Sequence, residues 1–290
     1  MDRLQTHAVQ RPTHDHFLTT SDGAELHYLD FGAGRSIIFV PGWSQTAAMF
    51  KEQFIPLSKH FRCIAVDMRG HGDSGKFDSG FTIDRLATDL SELLTEMSLD
   101  HPILLGHSMG ASVLWRYAEK FGTANISKMV FVDQAPVLMN DETWNEAERV
   151  QYGGIFDSKS LDEICVGLTN PVETSVVTNN LLRGMFTDNA PAQILDWVSA
   201  ENLKLDRHAA AMLLRDHCRQ DWRNVVKKID VPCLLIGGKV SFMPWQSQQW
   251  LSENIPNAKL VLFDQDEGGQ HFMFLENPAK FNKIICNFCQ

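Results

Sequence analysis

A serine framed by two glycines, Gly106-His107-Ser108-Met109-Gly110, is the first point where residue type and spacing could do chemistry. It follows the apolar run PILL and opens an amphipathic segment, so Ser108 falls at a strand-to-helix turn. A tight turn there would hold the hydroxyl above a sheet edge on a strained backbone, with room only for small residues two positions to either side. The backbone N–H of Met109, at the start of the following helix, is then free to stabilise an oxyanion. The chemistry such a hydroxyl supports is attack on a carbonyl carbon, given a general base.

Eleven histidines are available as that base. His7, His14 and His16 lie in a polar N-terminal arm. His27, His60, His101, His208 and His217 sit in strand or helix contexts suited to surface or core roles. His71 and His107 read as residues that structure loops near the site. His271 differs. In EGGQHFMFLENPAKF it follows a glycine pair and precedes a helix capped by Asn277 with Pro278 in its first turn, so a loop could carry it back over the sheet edge. A second oxyanion donor is expected from Pro41-Gly42-Trp43-Ser44, where Gly42 permits a tight turn and Trp43 presents its N–H. Losing one such donor typically costs about 2.7–4 kcal/mol of transition-state stabilisation.

The elements that must position these groups are readable as short apolar runs alternating with amphipathic segments. Strands are expected at residues 25–30, 36–40, 62–66, 102–105, 128–132, 232–236 and 259–263, each bounded by Gly, Pro, Asp or Ser. From Ser36 onward the runs are mostly unbroken, as in parallel strands covered on both faces. Between them, FTIDRLATDLSELLTEM and ASVLWRYAEKFG keep helical spacing, with Thr82 as an N-cap and Gly122 as a C-cap. That order predicts a doubly wound α/β sheet. The alternation breaks once, over residues 137–205, where four helical stretches (141–152, 161–168, 172–186 and 191–203) occur without a core strand. This is too long for a connection and reads as a helical cap inserted into a core made of residues 1–136 and 206–290.

Composition narrows the function classes. The 290 residues carry 26 Lys and Arg against 36 Asp and Glu, a net charge of −10, which disfavours nucleic acid and points to a small-molecule partner. The N-terminus shows no signal-peptide core and no apolar run approaches the roughly 20 residues of a membrane helix, so a cytoplasmic protein without a membrane partner is expected. Oligomeric state stays open. The six cysteines are scattered; Cys63 and Cys233 read as small buried hydrophobes, and Cys286-x-x-Cys289 lacks a second metal-ligand pair. Gly70-His71-Gly72-Asp73-Ser74-Gly75 matches a dinucleotide fingerprint, but loop rather than helix continues after it. Asp67, Arg69 and Asp73 read instead as braces of that loop. No cofactor and no metal are expected.

The motifs P-G-W-S, D-M-R-G-H-G-D-S at residues 67–74, G-H-S-M-G and G-G-Q-H-F together resemble the α/β-hydrolase superfamily, from about Asp22 to Phe288. The resemblance implies a mostly parallel sheet, a Ser–acid–His triad and two backbone oxyanion donors. Ser108 stands where epoxide hydrolases and haloalkane dehalogenases carry Asp, which disfavours both chemistries. The superfamily's acid commonly follows the strand equivalent to PCLLIGG, yet residues 238–244, GKVSFMP, hold no carboxylate. Some relatives, including lactone hydrolases and cofactor-free dioxygenases, place it where this chain has Asp133, at the end of the strand after the nucleophile helix. A carboxylate there could reach the distal nitrogen of His271 and fix its tautomer; Asp264 and Asp266 read as solvent-facing. The expected activity is hydrolysis of an apolar carboxylic ester or lactone through a Ser108 acyl-enzyme. Trp144, Tyr152, Phe156, Met185, Phe186 and Trp197 from the cap, with Phe242 and Phe272 from the sheet side, are candidate pocket residues. The alternatives are a cofactor-free dioxygenase, whose relatives carry histidine where Gln45 stands, a perhydrolase in the non-haem haloperoxidase style using the same triad, and a non-catalytic small-molecule receptor.

Overall fold

A computed structural model describes residues 14–290; His7 and the first thirteen positions of the core range expected from the sequence lie outside the described residues. Eight strands form one sheet: β1 (Asp15–Thr19), β2 (Glu25–Gly32), β3 (Ser36–Val40), β4 (Arg62–Val66), β5 (Ile103–His107), β6 (Lys128–Val132), β7 (Cys233–Gly238) and β8 (Ala258–Phe263). Their order across the sheet is β1-β2-β4-β3-β5-β6-β7-β8. The β1–β2 and β2–β4 pairs are antiparallel and every other pair is parallel. The doubly wound, mostly parallel α/β sheet read from the sequence is therefore present.

The two-residue period of the strands divides the core between the faces. Ile38, Ile64, Leu104 and Phe131 pack to one side with the helices Ile83–Glu96 and Met109–Phe121. Ile37, Cys63, Ile103 and Val130 pack to the other with Phe274, Phe281 and Ile285, where the helix Pro278–Cys289 lies. Both faces are covered, which is why β3, β5 and β7 are buried along their whole length and read as unbroken apolar runs. Helix boundaries follow their caps: the Thr82 hydroxyl accepts from Arg85 N, Gly122 closes Met109–Phe121 at φ 76°, and Asn277 accepts from Lys280 N beside Pro278.

One strand escaped the sequence reading. The arm holding His14 and His16 contributes β1, which pairs with β2 from Asp15↔Leu29 to Thr19↔Glu25. Its side chains are exposed except Leu18, so it is an edge strand held by ladder hydrogen bonds and has no apolar run to betray it.

Between β6 and β7 the described residues form helices Glu146–Tyr152, Ser158–Thr169, Thr174–Arg183, Ala192–Asn202, Arg207–Cys218 and Arg223–Val226, with only two isolated bridges. The first begins later than its pattern suggested because Asn145 and Glu148 form a capping box, while Asp141 turns its carboxylate onto Thr143. Arg207–Cys218 joins both parts: Cys165 Sγ lies 3.6 Å from Ala211 O, and Trp43 Nε1 donates to Ala210 O at 2.8 Å. No helix among the described residues is long and apolar enough to cross a membrane.

Candidate active site

Parallel register brings the chemistry-bearing residues to one rim. His107 pairs with Val132 and Val132 with Ile236, so Ser108 and Asp133 are the first residues beyond adjacent strand ends. Ser108 N donates to Val132 O at 2.8 Å and Asp133 N to Ile236 O at 2.7 Å, extending the ladder by one step. Both residues then turn sharply. Ser108 has φ 52° and ψ −126°, and Asp133 has φ 51°. Such backbone in a non-glycine residue costs on the order of 1–3 kcal/mol and persists only when its surroundings over-determine it.

The small neighbours of Ser108 are over-determining in that sense. A Cβ on Gly110 would meet Val40 O at 2.1 Å, and one on Gly106 would meet Gly110 C at 2.5 Å. The turn thus presses the helix start against the end of β3. A second turn follows β3: Gln45 N donates to Gly42 O at 3.1 Å, and Ser44 adopts φ 54°. The N–H groups of Trp43 and Met109 carry no hydrogen bond among the described residues, as oxyanion donors require.

His271 is fully buried, and its Nδ1–H donates to Asp133 Oδ2 at 2.7 Å. The loop reaches Asp133 by crossing the end of β7, and two glycines make that crossing close. A Cβ on Gly238 would lie 2.2 Å from Gly269 O, and one on Gly269 would lie 2.2 Å from Phe263 O. With Nδ1 committed, Nε2 keeps its lone pair, and it has no hydrogen-bond partner among the described residues. Ser108 Oγ makes no hydrogen bond to it in this conformation; Ser108 is 8% exposed.

Electrostatics follow burial. Loss of water pushes the His271 imidazole down to about 3 and the Asp133 carboxyl up to about 7, the latter against hydrogen bonds from Ser241 and Gly238. Gly238 N–H donates to Asp133 Oδ1 at 3.1 Å, and Ser241 Oγ donates to Oδ2 at 2.6 Å. His107 is also buried and pushed far down, chiefly by desolvation and then by the His271 ring. Its Nε2 lies 3.0 Å from His271 O and its Nδ1 3.0 Å from Gln45 Oε1, so the single N–H of the neutral ring serves one of these two oxygens; Gln45 Oε1 accepts from Gly42 N at 3.0 Å. Gln45 and His107 therefore stand between the Trp43 turn and the His271 backbone. Neither Ser241 nor Gln45 was legible as a site residue, because a neutral polar side chain in a loop carries no pattern.

The expected pocket residues divide. Phe242 has its ring 4.8 Å from that of His271; Phe272 is 5.3 Å away and stacks at 4.7 Å on Phe186. Met185 packs with that same cluster. Trp144 and Tyr152 go elsewhere: they pack together at 5.1 Å under Arg223, and Tyr152 meets Trp250 edge-on at 5.7 Å. Trp197 lies under Lys51 Nζ at 3.7 Å, and Phe156 is held in a bridge to Met139. Trp144 and Tyr152 thus fill the seam toward the helix Trp245–Asn254, while Trp197 packs on the cluster of Phe186 and Phe272. Asp264 pairs with Lys239 at 2.7 Å on the surface, and Asp266 is exposed.

The dinucleotide-like loop is a brace. Asp67 accepts from Ala47 N at 2.6 Å and Asp73 N at 3.0 Å and takes His27 Nδ1–H at 2.7 Å, while Arg69 pairs with Asp89 and Asp22, each at 2.8 Å. The side chains of His27, Asp67 and Asp73 lie close enough to share an ion, but these bonds already occupy Asp67.

Comparison with known proteins matches residues 35–159 to the family model for the alpha/beta hydrolase fold. A non-heme chloroperoxidase, CPO-A1 of Kitasatospora aureofaciens, is 29% identical over 93% of this chain and 98% of its own length. Among solved structures, a bromoperoxidase from Bacillus anthracis superposes with a TM-score of 0.86 at 23% identity, covering 95% of this chain and 99% of that one. An esterase from Exiguobacterium antarcticum superposes with a TM-score of 0.85 at 24% identity, covering 94% and 98%. At these identities the two superpositions speak to the fold.

Proposed function

The chain belongs to the α/β-hydrolase superfamily, and from that premise we propose that it is a serine hydrolase acting on a carboxylic ester or lactone of a mainly apolar small molecule. The observation that carries this reading is His271, buried with Nδ1–H given to Asp133 and Nε2 left with an open lone pair. In this reaction Ser108 Oγ attacks the carbonyl carbon as its proton passes to His271 Nε2. The N–H groups of Trp43 and Met109 hold the oxyanion, and Asp133 stabilises the imidazolium. The imidazolium then protonates the departing alkoxide, leaving an acyl-enzyme. Water, deprotonated at the same Nε2, releases the acid and restores Ser108.

Residues 137–205 act as the cap, and Phe186, Phe242, Phe272 and Met185 give the acyl pocket its apolar wall. Gln45 stands where the dioxygenases carry histidine, and an amide cannot serve as a titrating base, which favours hydrolysis over that alternative.

A second reading has its own support. The CPO-A1 relative carries a chloroperoxidase name over nearly its full length, and hydrogen peroxide could replace water in attacking the acyl-enzyme, giving a peracid. Both readings need the same nucleophile. The wild-type protein is expected to hydrolyse p-nitrophenyl acetate and to take one fluorophosphonate label on Ser108, with Ser108→Ala losing both by several orders of magnitude while staying folded. Ester hydrolysis that survives in Ser108→Ala would overturn covalent catalysis. A labelled Ser108 without turnover on any ester or lactone would favour the receptor, and peracid formed on adding peroxide would favour the second reading.

A further inference from the structure

We propose that Ser241 is a positioning residue that keeps Asp133 ionised and aimed at His271, standing in a loop that itself carries no carboxylate. The proposal rests on the Ser108–His271–Asp133 reading and deepens it. A hydroxyl has one proton. Met243 N–H donates to Ser241 Oγ at 3.2 Å, which engages the acceptor side and directs the proton to Asp133 Oδ2, 2.6 Å away. That same oxygen receives His271 Nδ1–H at 2.7 Å, while Oδ1 receives Gly238 N–H at 3.1 Å.

The surroundings offer Asp133 little else. From β5 it faces His107, and from the loop after β8 it faces His271, both buried and held neutral by desolvation. The loop after β7 has one cation, Lys239, which turns outward to Asp264. The helix Trp245–Asn254 contributes Gln248, a neutral side chain that donates to Gln134 O. No lysine or arginine among the described residues forms an ion pair with Asp133. A fully buried carboxylate without a cation depends on its hydrogen-bond donors, and bonds to a charged acceptor are the strong ones. Of the three donors, the Ser241 hydroxyl is the one that a side-chain change removes without touching the base.

The test is the pH dependence of kcat/KM for p-nitrophenyl acetate in the wild type, Ser241→Ala, Ser241→Thr and, as a control at the exposed neighbour, Val240→Ala. In Ser241→Ala the acid limb is expected to move up by about one pH unit, with KM unchanged and kcat on the alkaline side within about three-fold of wild type. Ser241→Thr, which keeps the hydroxyl, returns the limb to its wild-type position. The low-field NMR signal of the His271 Nδ1 proton reads the same pair without turnover, and its titration midpoint should rise in Ser241→Ala alone. A loss of activity that is equal at every pH, an unmoved NMR midpoint, or a threonine that fails to restore the limb would overturn the assignment. Absence of Ser108-dependent turnover in the wild type would instead remove the hydrolase reading, and the NMR titration would still decide the role of Ser241.

Discussion

The described residues hold two buried aspartate–histidine pairs of the same geometry, and they behave in opposite ways. His27 Nδ1 meets Asp67 Oδ2 at 2.7 Å, and His271 Nδ1 meets Asp133 Oδ2 at 2.7 Å. Both aspartates follow a strand end, β4 in one case and β6 in the other. Burial works against charge on His27, but Asp67 and then Asp15, whose Oδ1 lies 3.3 Å from Nε2, outweigh it and raise its affinity for a proton. Asp67 is likewise held below the usual carboxylate range: burial opposes this, and His27 with the N–H groups of Asp73 and Ala47 prevail. At the other pair burial prevails, and the imidazole is driven down while the carboxyl is driven up. The second ring nitrogen makes the difference. On His27 a carboxylate occupies it; on His271 nothing among the described residues does. The first pair is a brace, and the second keeps a free lone pair, as the proposed reaction requires.

The strongest way to break this contrast is to neutralise each carboxylate. Asp133→Asn is expected to lower kcat by about 10⁴-fold, because an asparagine no longer stabilises the imidazolium or selects the tautomer. Asp67→Asn should cost about 1–3 kcal/mol in urea unfolding and leave kcat within about ten-fold. Asp264→Asn, which breaks only a surface pair with Lys239, should change kcat by less than about two-fold. Equal losses of kcat from all three would erase the distinction.

The pH dependence of stability sharpens the same contrast. His71 is buried and pushed down to about 4, and His217 to about 3, in each case mainly by desolvation. Their folded values lie below the unfolded one, so the stability they confer is present above about pH 6.5 and is lost as pH falls toward 4. Each contributes up to about 1.4 kcal/mol per pH unit in that window. His27 has the opposite sign: its contribution is complete below about pH 6.5 and disappears as pH rises through its raised value. Urea midpoints measured against pH should therefore flatten on the acid side in His217→Gln and on the alkaline side in His27→Gln. A His27→Gln variant that keeps the wild-type fall in stability as pH rises would reverse this assignment.

The smallest effect concerns Trp43. Its indole is spent on Ala210 O, so Trp43→Phe should cost about 1 kcal/mol of stability and leave kcat within about two-fold, the backbone N–H being untouched. A loss of 100-fold or more would mean that the indole itself takes part.

Much of this arrangement was legible in the sequence, and the gaps have physical causes. Seven strands were readable, five of them, β3 to β7, because burial on both faces leaves unbroken apolar runs, and the Ser108 turn because it admits only small neighbours. β1 was not, since an edge strand exposed on nearly every side chain needs no apolar residue. Ser241, Gln45 and Gly238 were hidden for another reason: each acts on a partner 62 or more residues away in sequence, through atoms that any loop could contain. Trp144 and Tyr152 show the converse, since an aromatic ring announces bulk without saying what it will pack against.

The crossing of Gly238 and Gly269 over the end of β7 bears on how the acid and base keep their separation. No side chain acts as a spacer there; carbonyl oxygen and Cα meet directly, so the span between imidazole and carboxylate is ruled by atomic radii of the main chain. A ruler of that kind does not respond to solvent, temperature or the identity of nearby side chains. It leaves the neighbouring walls free to vary in shape while imidazole and carboxylate stay at one distance.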